Sequence, residues 1–173
     1  VLLAAFAAAC GSAAAAGPGS SPALGLTVYA HPVAAPDVIT GRTLGGSRVS
    51  VARWRGRVVV VNFWQPDCAP CTAEAPLLNR LARSYPKSRV SFLGIEETST
   101  LALGRRYEKA EHVPYASIAD PSGLYLAHWG RLVDAGGTPD TVVLNASGRV
   151  VASVVGQVHA GTLTRVINGL LRA

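Results

Sequence analysis

Arg57-Val58-Val59-Val60-Val61-Asn62-Phe63-Trp64-Gln65-Pro66-Asp67-Cys68-Ala69-Pro70-Cys71 begins with a valine run and closes on two cysteines separated by two residues. The β-branched run is continuously apolar and too short for a core helix. It predicts a strand over 57–64, covered on both faces and central in its sheet. Beyond it, 69–84 carries Leu77, Leu78 and Leu81 at helical spacing. Pro70 is tolerable in the first turn of that helix, and Pro76 is expected to kink it. The cysteines therefore fall at a strand-to-helix junction, where unpaired N–H groups and the positive end of the helix dipole favour a thiolate on Cys68. Cys71, one turn along, is placed to attack a mixed disulfide formed on Cys68, which releases a reduced partner and closes an internal disulfide.

Two other uses of the pair are open at this point: a structural disulfide, and half of a zinc site. Zinc needs a second ligand pair, but His31, His112, His128 and His159 are scattered and the third cysteine, Cys10, lies far away. Structural disulfides seldom sit at such a junction with a proline between the cysteines. The reading is redox, with no metal and no organic cofactor expected.

Outward from this stretch, 38–44 and 48–51 around Gly45-Gly46 predict a hairpin, since paired glycines supply positive φ. A second buried strand is expected at 90–95, a charged helix at about 98–112, an extended piece at 115–118, a turn at 120–123 and a short helix at 124–128. A hairpin over 141–145 and 149–155, then an amphipathic helix at about 160–171, close the chain. The order implies an α/β domain over 37–173: a central mixed β-sheet flanked by helices, with an N-terminal β-hairpin.

The chain has 173 residues, 49% of them apolar, with a formal net charge of +6. Much of the apolar excess is alanine in the first sixteen positions. Arg53, Arg55 and Arg57 are the densest basic group, yet no interleaved aromatics or nucleic-acid motif accompany them. They read as a solvated basic edge, and no nucleic-acid partner is expected.

Val1 to Cys10 is too short to span a bilayer but has the length and small-residue ending of a signal-peptide core, without the basic segment that precedes one. Small residues before Cys10, then Gly11 and Ser12, resemble the lipobox of bacterial lipoproteins, although Ala7 stands where leucine is usual. On that reading 1–10 ends a signal peptide and Cys10 is the lipidation site, anchoring an extracytoplasmic domain to the membrane. An ordinary secretory signal or the end of a membrane helix is the alternative. Residues 11–36, rich in Ala, Gly, Ser and Pro, read as a flexible linker.

The run Asn62 to Cys71, followed by Glu74 and Pro76, resembles the active-site stretch of thioredoxin-like proteins of the TlpA/ResA type. Gly137-Thr138-Pro139 ahead of a strand resembles the cis-proline loop of that family, and 120–123 and 145–150 its later turns, so the likeness runs from about Pro36 to the C-terminus. The resemblance implies a thioredoxin-like fold with Cys68 and Cys71 as redox-active disulfide. It implies that Pro139 is the cis-proline facing them, and that Glu74 tunes the thiols and handles a proton. Trp64, Pro70 and Thr138 are implied at the substrate side, the Thr138 backbone pairing with an incoming peptide. Thioredoxins proper carry a buried aspartate where this chain has Asn62. The family commonly has Trp before its first cysteine, where this chain has Asp67, a good N-cap whose charge opposes ionisation of Cys68.

The function expected is a thiol–disulfide oxidoreductase acting as a reductant on protein thiols and disulfides, apocytochrome c among them. Its membrane electron donor is unspecified. The alternatives are a copper chaperone of the Sco type, for which the cysteine spacing is too short, and a peroxiredoxin-like peroxidase, whose Thr-x-x-Cys context is missing.

Overall fold

A computed structural model describes residues 25–36, 39–97, 99–134 and 137–173. In chain order the elements are β1 (Gly25–Val33), β2 (Thr40–Arg42), β3 (Arg48–Ser50), β4 (Val58–Trp64), α1 (Ala69–Ser84), β5 (Val90–Glu97), α2 (Leu101–Ala110), β6 (Ser117–Asp120), α3 (Leu124–Trp129), β7 (Asp140–Leu144), β8 (Val150–Val155) and α4 (Thr162–Arg172). A six-stranded mixed sheet runs β1-β8-β7-β4-β5-β6, and β2 and β3 form a separate hairpin. This is a thioredoxin-like arrangement.

The valine run is β4, buried along its whole length, parallel to β5 and antiparallel to β7. Side chains alternate across it. Val59, Val61 and Phe63 pack with Leu93, Ile95, Val142 and Trp129 of α3 on one face. Val58 and Val60 meet Leu78 and Leu81 of α1 and Leu163 and Ile167 of α4 on the other. Each such side chain, fully buried, contributes about 2 kcal/mol, but with both faces apolar the pattern alone does not fix register. Asn62 does so at the top of the strand, its Nδ2 donating to Thr141 Oγ1 of β7 at 3.2 Å and to Glu74 Oε1 of α1 at 2.7 Å.

The expected linker 11–36 is not linker throughout. Residues 25–33 form β1, which adds to the edge of the sheet against β8, Gly25 opposite Val155 and Val28 opposite Ala152. The strand is exposed over most of its length, Leu26 and Val28 included, so its apolar residues mark no buried face. Backbone pairing holds it, assisted by Tyr29 and Ser153, whose hydroxyls lie 3.1 Å apart. The lipobox, Cys10 and the linker up to 24 lie outside the described residues, as does Val38 at the start of the expected hairpin.

Arg53 and Arg55 are not on a strand. A short 3-10 turn over Val51–Trp54 follows β3, leaving both arginines exposed at its end. The charged helix is shorter than expected, starting at Leu101 because Thr100 Oγ1 accepts the Leu103 N–H at 3.3 Å, and ending at Ala110. The extended piece expected at 115–118 is displaced to β6, which pairs in parallel with β5.

Candidate active site

The register that places Phe63 opposite Asp140 brings the residue runs after β4 and before β7 to the same end of the sheet. Cys68 and the 137–139 loop therefore meet. Cys68, not Asp67, caps α1: its Sγ accepts the Cys71 N–H at 3.1 Å, and its backbone is extended at φ −103°, ψ 106°. Sulfur takes the place of the expected aspartate because the turn begins one residue later. Asp67 is exposed just ahead of the cap, and Pro70, also exposed, stands in the first turn.

Cys68 and Cys71 are joined in a disulfide, with Cα atoms 5.2 Å apart. Cys68 is 9% exposed and Cys71 2%, so the first cysteine is the more accessible of the two. Cys68 Sγ lies 3.5 Å from the carbonyl oxygen of Thr138, and the Thr138–Pro139 peptide bond is cis. Thr138 is half-buried and Pro139 buried. Trp64 is 2% exposed, in a cluster with Leu44, Cys71 and Tyr107. Its indole stacks on Tyr107 of α2 with centroids 4.4 Å apart and an interplanar angle of 24°. Trp64, implied at the substrate side by the resemblance, is thus buried beside both cysteines.

Glu74 is buried, one turn beyond Cys71 on α1. Its Oε1 accepts from Asn62 Nδ2 and its Oε2 from the Val158 N–H, each at 2.7 Å. Burial pushes its carboxyl up to about 7 against the opposing effect of these two bonds, and the Asp140 carboxylate adds to the rise. A carboxyl so held can take up or release a proton near neutral pH. Asn62, where a thioredoxin has its aspartate, serves as a bracket for the glutamate.

Three buried carboxyls were missed by the sequence reading. Asp140 follows the cis-proline, and burial holds its carboxyl up at about 7. Glu96 and Glu97 end β5, and burial together with Asp120, Asp140 and Glu96 pushes Glu97 up to about 8. The signal available was their strand context, since acidic residues are depleted from buried strands. Among the described residues no group of three or more His, Cys, Asp or Glu is arranged to hold a metal ion, and no helix is long and apolar enough to cross a membrane.

The Redoxin family model matches residues 32–169. The thiol:disulfide interchange protein HelX of Rhodobacter capsulatus is 28% identical over 117 residues, covering 67% of this chain and 62% of HelX. A DsbE homolog of Paracoccus denitrificans, also a thiol:disulfide interchange protein, is 33% identical over 62% of this chain and 53% of its own length. The chain thus spans between half and two thirds of these relatives. Among solved structures, a DsbF homologue from Corynebacterium diphtheriae superposes with TM-score 0.76 at 28% identity, covering 89% of this chain and 96% of that one.

Proposed function

Since the chain belongs to the Redoxin family, we propose that it is a thiol–disulfide oxidoreductase that reduces disulfides of extracytoplasmic proteins. The observation that carries this is the Cys68–Cys71 disulfide at the N-terminus of α1, its outer sulfur 3.5 Å from the backbone of a cis-proline loop. In the dithiol form, the Cys68 thiolate attacks one sulfur of the partner's disulfide. A mixed disulfide forms and the partner's other sulfur leaves as a thiolate. The Cys71 thiolate then attacks Cys68, the second partner sulfur departs, and the internal disulfide closes. Two electrons pass to the partner, whose thiolates take up the protons given by Cys68 and Cys71. A dithiol donor returns the pair to its reduced form.

The direction rests on Asp67. Its carboxylate adjoins Cys68 and disfavours the thiolate, which makes the dithiol the better electron donor. Asp67→Asn should lower the Cys68 pKa and raise the reduction potential. A fall in potential, or an unchanged pKa, would count against a reductant. Attachment through an acylated Cys10 would confine the exchange to the membrane surface, and the resemblance to TlpA/ResA-type proteins makes apocytochrome c a substrate to try. The decisive experiment is capture with Cys71→Ala, in which mixed disulfides on Cys68 persist. Proteins released by dithiothreitol and absent from a Cys68→Ala/Cys71→Ala control are the expected result, and no captured protein would defeat the reading.

A further inference from the structure

The backbone around the disulfide is held by two carboxyls that belong to different elements. Asp140, the first residue of β7, is 1% exposed and accepts two main-chain N–H bonds: Asp134 N on Oδ2 at 2.6 Å and Gly156 N on Oδ1 at 2.9 Å. The first donor belongs to the segment that leads from α3 into the cis-proline loop, which also closes on itself through Gly137 N to Asp134 O at 3.2 Å. The second opens the segment after β8. Two residues further along, Val158 N donates to Glu74 Oε2 at 2.7 Å. The backbone oxygen of Asp140 accepts from Asn62 Nδ2 at 3.3 Å, the same amide that holds Glu74 Oε1. Asp140 thus ties together the loop before Pro139, the segment after β8 and, through Asn62, the helix that starts at Cys68.

From this geometry we infer that Asp140 is the positioning residue of the Thr138–Pro139 loop, setting where the Thr138 backbone stands relative to Cys68 and thereby the enzyme's preference for polypeptide disulfides over small ones. The inference rests on the proposed exchange at Cys68. A buried carboxylate that accepts two main-chain N–H groups cannot be replaced by solvent, so its loss frees both segments. A polypeptide pairing its backbone with Thr138 depends on the placement of that residue to within a fraction of an ångström. A small disulfide has no backbone to pair and needs only the sulfur. Asp140 raises the Glu74 carboxyl, so its removal acts on both substrates through Glu74, whereas the loss of loop placement falls on the polypeptide alone and should divide the two.

The test compares two substrates of the full chain in its dithiol form: a peptide whose cysteine is capped by glutathione, and cystamine. With Asp140→Ala the peptide kcat/KM should fall about tenfold more than the cystamine value, whatever change the two share through Glu74. Asp140→Asn, which keeps one carbonyl acceptor for two donors, should fall between the two and serves if the alanine variant does not fold. Amide hydrogen exchange at Asp134 and Gly156 should speed up in either variant. An equal fall on both substrates, an unchanged ratio, or unchanged exchange at both amides would overturn the inference. Wild-type protein that reduces neither substrate would instead defeat the redox reading itself.

Discussion

Glu74 and Glu97 are both fully buried carboxyls, and their surroundings assign them different consequences. Glu74 has a partner on each oxygen. Its proton is held up to about pH 7, so the resolving attack by Cys71 should accelerate as pH rises through that value. Glu74→Gln should remove that limb and slow decay of the mixed disulfide by about 10²-fold, read by quenched flow. A variant with the wild-type pH profile would exclude the role. Among the described residues Glu97 has no hydrogen-bond partner on either oxygen, and Asp120, Asp140 and Glu96 face it. Its folded pKa of about 8 lies above its ordinary 4.5, so between those values the folded state holds a proton that the unfolded state has lost. Stability therefore falls as pH rises across that window, by at most about 1.4 kcal/mol per pH unit, and levels off above it. Glu97→Gln should be the more stable protein, with a gap over wild type in denaturant midpoint that widens from pH 5 to pH 8. A constant gap would refute the assignment.

Among the elements, those whose character is written locally were legible. The valine run could only be a covered strand, and Thr100, Gly123 and Gly161 mark helix starts that patterning had already approximated. Pro76 remains inside a helix that runs unbroken from Ala69 to Ser84. Elements held by partners were not legible. β1 is exposed and exists because β8 offers it a ladder, and β6 is displaced from the expected span because its register is set by β5. Gly94 shows how tightly β5 sits between its neighbours: a Cβ there would lie 2.2 Å from Ser117 Oγ and 2.6 Å from Trp64 Nε1. Gly94→Ala should therefore cost about 1–3 kcal/mol, measured by urea denaturation. It should also disturb the Trp64 indole packed in the cluster of the cysteines, changing tryptophan fluorescence. An alanine variant of wild-type stability would mean that the two strands yield more easily than the packing suggests.

For the molecule as a whole, the redox state and the folded state are linked. In a reductant the disulfide form is the more stable one, whereas a strong oxidant stabilises its dithiol. Melting the oxidised and reduced proteins side by side should place the oxidised Tm higher, and the reverse order would reassign the direction of exchange. The cysteine pair, the helix it opens and the alternation of strands and helices were determined by sequence, because each depends on residues within one turn or one strand of each other. The cis-proline and the role of Glu74 entered as implications of family resemblance, and the extracytoplasmic setting as an expectation from the signal-like stretch before Cys10. Only tertiary structure decided what surrounds the pair: that Trp64 packs beside it and stacks on Tyr107, that Asn62 brackets Glu74, and that Asp140 binds the segments leading from α3 and from β8. Those contacts join residues from 6 to 43 positions apart, and whether a carboxyl is a solvated charge or a buried proton carrier depends on which part of the chain closes over it.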